Sequence, residues 1–118
     1  MQDVTVTLPF KLSEMFAGLA EGKGLAKASP SELVLEFMIS DRVVKMFKSG
    51  VKEVRVPQSE IDLLRLQRGW FGDKIQIRVK SIKWLADLPG CLNGQVTLRV
   101  PKRDRRQTEE FIRVLGKA

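Results

Sequence analysis

The chain has few of the side chains on which catalysis most often depends. Its 118 residues include no histidine and a single cysteine, Cys91. Without histidine the commonest general base is missing, and neither a Ser-His nor a Cys-His nucleophile can be assembled. Cys91 follows a Pro-Gly turn and has no basic neighbour close in the sequence, which indicates an ordinary thiol rather than a reactive one. A lone cysteine also forms no intramolecular disulfide, which favours a reducing compartment.

Carboxylates are the remaining candidates for acid-base chemistry or metal binding. Glu32 and Glu36 would stand roughly 13 Å apart along a strand, beyond the roughly 5 to 9.5 Å between glycosidase carboxylates. Glu109 and Glu110 are neighbours on a predicted helix and therefore point in different directions. The sequence has neither the spacing of a calcium loop nor that of a phosphate-binding glycine loop. We predict no catalytic residue, no metal site and no cofactor, and thus a protein that is not an enzyme.

Positive charge is the second chemical feature of the chain, and it is unevenly distributed. The formal net charge is +7. Residues 1–41 carry three lysines and six acidic residues, whereas residues 42–118 carry eighteen basic and eight acidic residues. Such asymmetry is typical of surfaces that contact phosphate, nucleic acid or anionic lipid, although it also supports plain solubility.

The strand pattern is expected to place a set of basic side chains outward. In KIQIRV, the apolar residues Ile75, Ile77 and Val79 alternate with polar ones, so the apolar set should face the core and the polar set solvent. If the strands are neighbours, the basic side chains form a cationic stripe for anionic lipid or nucleic acid. Otherwise they are the solvated face of a half-buried sheet. The candidate binding surface comprises Arg55, Arg65, Trp70, Arg78, Lys80 and Arg99.

Two aromatic residues stand side by side in the stretch RGWFGDK, between Gly69 and Gly72. Adjacent side chains on an extended backbone point to opposite faces, so one of the two should be buried. Phe71 is in phase with Ile75, which predicts that Phe71 points inward and Trp70 outward. A bulge at either glycine would reverse this assignment.

A second basic cluster surrounds the predicted start of the C-terminal helix, where positive charge opposes the helix dipole. Positive charge that opposes the dipole without an evident gain in stability can mark a functional site. A solvent-exposed corner between strand and helix, however, also tolerates such charges. The cluster consists of Lys102, Arg103, Arg105 and Arg106.

The same alternation predicts about seven strands before the C-terminus. The first strand should end where Pro9 removes a backbone donor. The stretch MFAGLAEGKGLAKAS is either a glycine-rich strand that lets another element approach closely or a short helix, and its glycines favour the strand. Another apolar run continues past Asp41 as one long strand or as two strands with a bend. SEIDLLRLQ is predicted as a turn followed by a strand, and Asn93-Gly94 as a hairpin turn before the last strand.

The hydrophobic period becomes helical only in DRRQTEEFIRVLGKA. Asp104 is predicted to cap the helix, with Gln107 at the capping-box position, and Gly116 is predicted to end it. The apolar stripe of this helix, at i, i+3, i+4 and i+7, consists of Thr108, Phe111, Ile112 and Leu115.

A meander of about seven antiparallel strands followed by an amphipathic helix resembles the pleckstrin-homology-like (PH-like) fold. The segments SELVLEF, SGVKEVRVPQSEI, RGWFGDKIQIR, LPGCLNGQVTLRV and DRRQTEEFIRVL are similar, in this order, to small bacterial PH-like proteins. The resemblance begins at about Phe16. It implies a mainly β fold in which residues 1–118 form one domain, a bent antiparallel sandwich or barrel. The helix from Arg105 to Leu115 would close one end of it.

PH-like proteins bind phosphoinositides or peptides or act as scaffolds, so the fold does not choose one function. We expect a non-catalytic interaction module that binds a protein partner or self-associates as a homo-oligomer. Peripheral binding to anionic membrane lipid through the basic face is the first alternative. Nucleic-acid binding ranks lowest, because it needs stacking aromatics and at least four of the eight aromatics occupy predicted core positions. No stretch approaches the about eighteen apolar residues of a membrane span, so we expect a cytoplasmic protein, peripheral at a membrane at most.

Overall fold

The computed structural model describes residues 5–15, 20–41, 52–86 and 94–116. Within these ranges the chain forms seven strands and one α-helix, and three short 3₁₀ turns at Gln58–Glu60, Ile82–Leu85 and Lys102–Asp104. The predicted mainly β fold with a C-terminal helix is confirmed. The elements are β1 Val6–Met15, β2 Ala20–Ala28, β3 Glu32–Asp41, β4 Lys52–Pro57, β5 Ile61–Gln67, β6 Asp73–Val79, β7 Gln95–Val100 and α1 Arg105–Leu115.

The seven described strands form one antiparallel sheet in the order β4-β3-β2-β1-β7-β6-β5. Strands β1 and β7 are registered at one pair, Lys11 with Arg99, whereas the other neighbouring strands share long registers. The sheet is therefore a pair of meanders, β1–β4 and β5–β7, joined between β1 and β7. Strands β4 and β5 end the order, so the described sheet is not closed into a barrel, which is consistent with a bent sandwich.

The core lies on the inner face of this bent sheet and is completed by α1. Leu8, Leu35, Phe37, Ile75 and Leu98 are among the buried side chains that the strands contribute. Helix α1 packs on β1 and β2. Its buried residues are those of the predicted apolar stripe, Thr108, Phe111, Ile112 and Leu115, and this prediction is confirmed.

The two ends of α1 agree with the predicted positions but not with every predicted bond. Gly116 adopts a left-handed φ of 68°, and its N–H donates to the carbonyl oxygens of Ile112 and Arg113. Asp104 occupies the N-cap position, yet its side chain makes no cap hydrogen bond. The predicted capping interaction is wrong because Asp104 belongs to a 3₁₀ turn with φ −98° and ψ 18°, whereas capping side chains are normally aimed by an extended backbone.

Strand β2 shows why the glycine-rich segment cannot be replaced freely. A Cβ atom at Gly24 would stand 1.8 Å from the carbonyl oxygen of Glu36 on β3 and 2.8 Å from the α-carbon of Phe37. No side chain fits into that space. The prediction of a strand that lets a neighbour approach closely is confirmed for Ala20–Ala28.

The predicted end of the first strand at Pro9 is wrong, since β1 continues to Met15. Pro9 is exposed and registered with Leu25 on β2. On its other side β1 is registered with β7 at Lys11 alone, so much of that side carries no ladder that a missing N–H would interrupt. This extension brings Lys11 into the sheet.

Several remaining predictions have mixed outcomes. SEIDLLRLQ forms the predicted turn and strand, as the 3₁₀ turn Gln58–Glu60 and β5. Strand β3 ends at Asp41, and the continuation of its apolar run lies outside the described residues. Cys91 and Asn93 also lie outside them, whereas Gly94, with φ 73°, leads into β7 as predicted.

Candidate functional site

The loop between β5 and β6, residues 68–72, presents two aromatic side chains to solvent. Trp70 is 86% exposed and Phe71 is 101% exposed. We call these two residues the aromatic tip. The outward position of Trp70 was predicted, but the inward position of Phe71 is wrong. Alternation holds only along an extended strand, and β6 begins at Asp73, after Gly72 with φ 150° has already changed the direction of the chain.

The loop lies close against β7 at Gly72. A Cβ atom there would stand 2.9 Å from the carbonyl oxygen of Val100, and the positive φ is one that side chains rarely adopt. At the other end of the loop, a Cβ atom on Gly69 would stand 2.7 Å from the carbonyl oxygen of Gly72. Both glycines therefore permit a close backbone approach that a side chain at either position would prevent.

Asp73 and Arg105 fix the base of the loop to the start of α1. The Asp73 side chain has no exposed surface. Arg105 donates from Nη2 to Oδ1 of Asp73 at 2.8 Å and from Nε to Oδ2 at 3.0 Å. The backbone of Gly69 joins the same network, donating its N–H to Oδ1 of Asp73 at 3.3 Å and accepting from Nη2 of Arg105 at 3.2 Å.

This network governs the ionisation of Asp73. The hydrogen bonds from Arg105 hold the pKa of the Asp73 carboxyl below its ordinary value of 3.8, against the opposing effect of burial. The pair is bidentate, the geometry in which a guanidinium compensates a carboxylate best. Asp73 is therefore a charged, structurally bonded group, and Arg105 has a partner that explains its unfavourable place at a helix N-terminus.

Next to the aromatic tip, three basic residues lie in one row across three neighbouring strands. Lys11 on β1 is registered with Arg99 on β7, and Arg99 with Lys74 on β6. We call these three residues the basic row. Strands are about 4.8 Å apart, so the three α-carbons lie within about 10 Å. All three side chains are exposed, and none makes an ion pair with another described residue.

The basic row is unusual because like charges directly opposite each other on a sheet are destabilising. Lys23 on β2, registered with Lys11, carries the same charge one strand further. On β2 and β3, by contrast, Lys27 pairs with Glu36 at 2.6 Å. The positive charges of Lys11, Arg99 and Lys74 therefore repel one another, and a bound anion would relieve this repulsion.

The aromatic tip and the basic row border one groove of about 490 Å³. Its walls also include the backbone and side chains around the loop and the end of β7. The groove thus combines exposed aromatic surface with uncompensated positive charge. Its lining residues are Lys11, Gly69, Trp70, Phe71, Gly72, Asp73, Lys74, Arg99, Val100 and Pro101.

The predicted binding surface is only partly brought together. Trp70 and Arg99 share the groove, and Arg65 and Lys80 are exposed on and beside neighbouring strands. Arg78 is paired with Asp62 at 3.0 Å. Arg55 lies on β4, at the far edge of the sheet.

Arg55 is not a free cation of a continuous stripe. It bonds to Glu32 at 2.8 Å and to Glu53 at 2.7 Å.

In the second cluster, Arg105 bonds Asp73, while Lys102, Arg103 and Arg106 are exposed around the helix start and do not line the groove.

The residues missed by sequence reasoning are Lys11, Lys74 and Phe71. Lys74 was on the predicted outward face of KIQIRV, so alternation contained the signal. Lys11 was missed because the strand was predicted to end at Pro9. Phe71 was missed because strand parity was extended through a loop.

A polar groove on the other half of the sheet holds three carboxylates but no free one. Glu32 and Glu53 bond Arg55, and Glu36 bonds Lys27. Across the described ranges, no group of three or more histidine, cysteine or acidic residues is placed to hold a metal ion. In the same ranges, no helix has the length and apolar character that a membrane crossing requires.

Comparison with known proteins finds no protein-family model, no curated protein and no solved structure that matches this chain.

Proposed function

We propose that this chain is a non-catalytic docking domain that binds peripherally to anionic membrane surfaces through the aromatic tip and the basic row. One observation carries the proposal: two exposed aromatic side chains border the same groove as three cations that make no ion pair with a described residue. Tryptophan and phenylalanine favour the interface between lipid headgroups and acyl chains. The cations lie where they would meet lipid phosphates.

The charges are sufficient for measurable binding. Each basic side chain near an anionic leaflet contributes about 1 kcal/mol, so the basic row supplies about 3 kcal/mol, or roughly a hundredfold in affinity. This attraction extends over about one Debye length, which is roughly 8 Å at physiological salt. The aromatic tip then adds a contribution that salt does not screen.

The fold is compatible with this role. We retain the resemblance to PH-like proteins as a proposal, supported by the two antiparallel meanders of the seven described strands and by the C-terminal helix whose apolar stripe enters the core. A cytoplasmic location, peripheral at a membrane, belongs to the same proposal.

Vesicle sedimentation tests the proposal with one matched pair of variants. Lys74→Gln removes a cation of the basic row, and Lys52→Gln removes an exposed strand lysine at the far edge of the sheet. We expect binding to phosphatidylcholine vesicles that contain phosphatidylserine, and almost none to phosphatidylcholine alone. Lys74→Gln should weaken binding about fivefold, and Lys52→Gln less than twofold.

Two results would contradict the proposal: binding that does not depend on lipid charge, and equal losses in the two variants. Binding to a single-stranded oligonucleotide with no binding to vesicles would instead assign the groove to nucleic acid, since stacking aromatics beside cations also fit that ligand.

Insertion of the tip can be followed separately by fluorescence. The chain has two tryptophans, so Trp84→Phe leaves Trp70 as the reporting one. Trp84 is half-buried and donates its indole N–H to Glu60 at 2.9 Å. We expect the emission of Trp70 to shift to the blue on anionic vesicles. If the protein binds the vesicles but the emission spectrum does not change, the tip lies outside the lipid and its proposed role is contradicted.

A protein partner is the second candidate, favoured by a groove of about 620 Å³ between β5 and α1. Strand β5 ends the described sheet, so one side of its backbone lies beside no other described strand. An extended peptide would add to this edge with an acidic residue beside Arg65, since Arg68 and Arg113 are already paired with glutamates. The groove is lined by Leu63, Leu64, Arg65, Leu66, Arg68, Glu109, Ile112 and Arg113.

Peptide display tests this second candidate. We expect enrichment of acidic, β-branched peptides by the wild-type chain and their loss on Leu66→Lys, which places charge among the leucines of the groove. The Lys74→Gln variant should bind the same peptides unchanged. The same peptides selected by Leu66→Lys would rule the groove out, and sedimentation velocity would show whether a second copy competes for it.

A further inference from the structure

The aromatic tip is exposed but its loop is not free. Exposed loops are usually the more mobile parts of a fold, and the side chains of Trp70 and Phe71 are 86% and 101% exposed. The described contacts of the loop are made at its base. Gly69 is bonded to both Asp73 and Arg105, and Arg68 pairs with Glu109 on α1 at 2.9 Å.

These two links to α1 differ in strength. Arg68 and Glu109 are more than half exposed, and such pairs are weak. The Asp73 carboxylate has no exposed surface and receives two bonds from one guanidinium. A buried carboxylate is stable only with such compensation, so the Asp73–Arg105 pair has one arrangement, and that arrangement includes Gly69.

We infer that Asp73 and Arg105 are positioning residues, which hold the aromatic tip in its docking orientation before a membrane is met. The inference depends on the proposed function for the value of this orientation. Neither side chain belongs to the aromatic tip or to the basic row. A side chain or loop that is ordered in advance does not have to be immobilised on binding, which favours affinity by about two- to tenfold.

Asp73→Asn tests this inference, because the positioning role and simple electrostatics predict opposite changes in vesicle affinity. The substitution keeps the side-chain shape, disrupts the pair with Arg105, and raises the net charge by one. Electrostatics alone predicts tighter binding to vesicles that contain phosphatidylserine. The positioning role predicts binding about three- to tenfold weaker, with an unchanged salt dependence because the basic row is intact.

Arg105→Lys is the second variant, chosen in case Asp73→Asn does not fold. It keeps the charge but loses the bidentate geometry. We expect a smaller loss of the same kind, about twofold to fourfold. Arg68→Gln, which removes the exposed link at the same loop, is the control and should resemble the simple loss of one exposed charge.

NMR order parameters of the free protein separate this inference from the proposed function. We expect the amides of residues 69–72 to be as ordered as β6 in the wild type, and disordered in Asp73→Asn and Arg105→Lys. If the wild-type chain does not bind vesicles but shows this change, the proposed function fails and the positioning role stands. If tip order is unchanged in both folded variants, or if Asp73→Asn binds more tightly, the inference is overturned.

Discussion

Among the described ion pairs, that of Asp73 and Arg105 has the most buried carboxylate. Burial alone would raise the pKa of such a group, but the bonds from Arg105 lower it. The charged pair thus stabilises the fold only while Asp73 is ionised. A single residue therefore connects the position of the loop with the stability of the whole chain.

Acid should reveal this connection. Because the folded-state pKa of Asp73 lies below 3.8, its contribution to stability is complete above that value and is lost as the pH falls through the lower folded-state pKa. We expect the melting temperature of the wild type to fall more steeply below pH 3.8 than that of Asp73→Asn. Parallel curves from circular dichroism would contradict this assignment.

Gly24 gives a second prediction for a single residue. In Gly24→Ala the new methyl group would meet the carbonyl oxygen of Glu36 at 1.8 Å, so β2 and β3 must separate locally. We expect a loss of about 3 kcal/mol in the free energy of unfolding, measured with urea. Leu25→Ala, at the exposed neighbouring position, should change it by about 0.5 kcal/mol. Equal losses of unfolding free energy in the two variants would show that β2 and β3 separate at little energetic cost.

At the scale of elements, helix α1 has two roles: it completes the core and supplies Arg105. Its buried side chains face β1 and β2, while its first residue reaches the loop. The orientation of the loop therefore depends on the packing of the helix.

Phe111 is the residue that tests this packing. Its side chain is fully buried, so Phe111→Ala should lower the free energy of unfolding by about 3 to 5 kcal/mol. Val114→Ala, at a half-buried position of the same helix, should cost about 1 kcal/mol. Urea unfolding measures both, and a small effect of Phe111→Ala would mean that the helix is dispensable for the core.

The elements themselves were largely predictable, because strand alternation and helical periodicity record which face is buried. Strand β6 and the stripe of α1 follow directly from this rule. The site was predictable only in part. Phe71 was missed because Gly72, with its positive φ, redirects the chain before β6 begins. Lys11 was missed because β1 continues through Pro9, where a proline was expected to end the strand. The partner of Arg105 depends on a contact between distant segments, which no local pattern contains.

At the scale of the whole molecule, charge divides the outer face into two regions. On β2–β4, Lys27 is paired with Glu36 and Arg55 with Glu32 and Glu53. On β1, β7 and β6 the basic row has no such partners among the described residues. The molecule therefore presents a polarised surface to any large anion.

Salt should separate the two contributions to vesicle binding. The Debye length falls from about 10 Å at 0.1 M to about 3 Å at 1 M, so high salt should remove most of the contribution of the basic row. We expect a weak residual affinity that disappears in the double variant Trp70→Ala and Phe71→Ala. A residual affinity unchanged by that variant would exclude aromatic insertion.

The registered pair of Lys11 and Arg99 has a further consequence for the molecule. It joins the meander of β1–β4 to that of β5–β7, and it also lies in the groove. An anion held by both side chains would act as a cross-link between the two halves of the sheet. Anion binding at this pair would then also raise the free energy of unfolding, because the ligand binds only where the two halves of the sheet are joined.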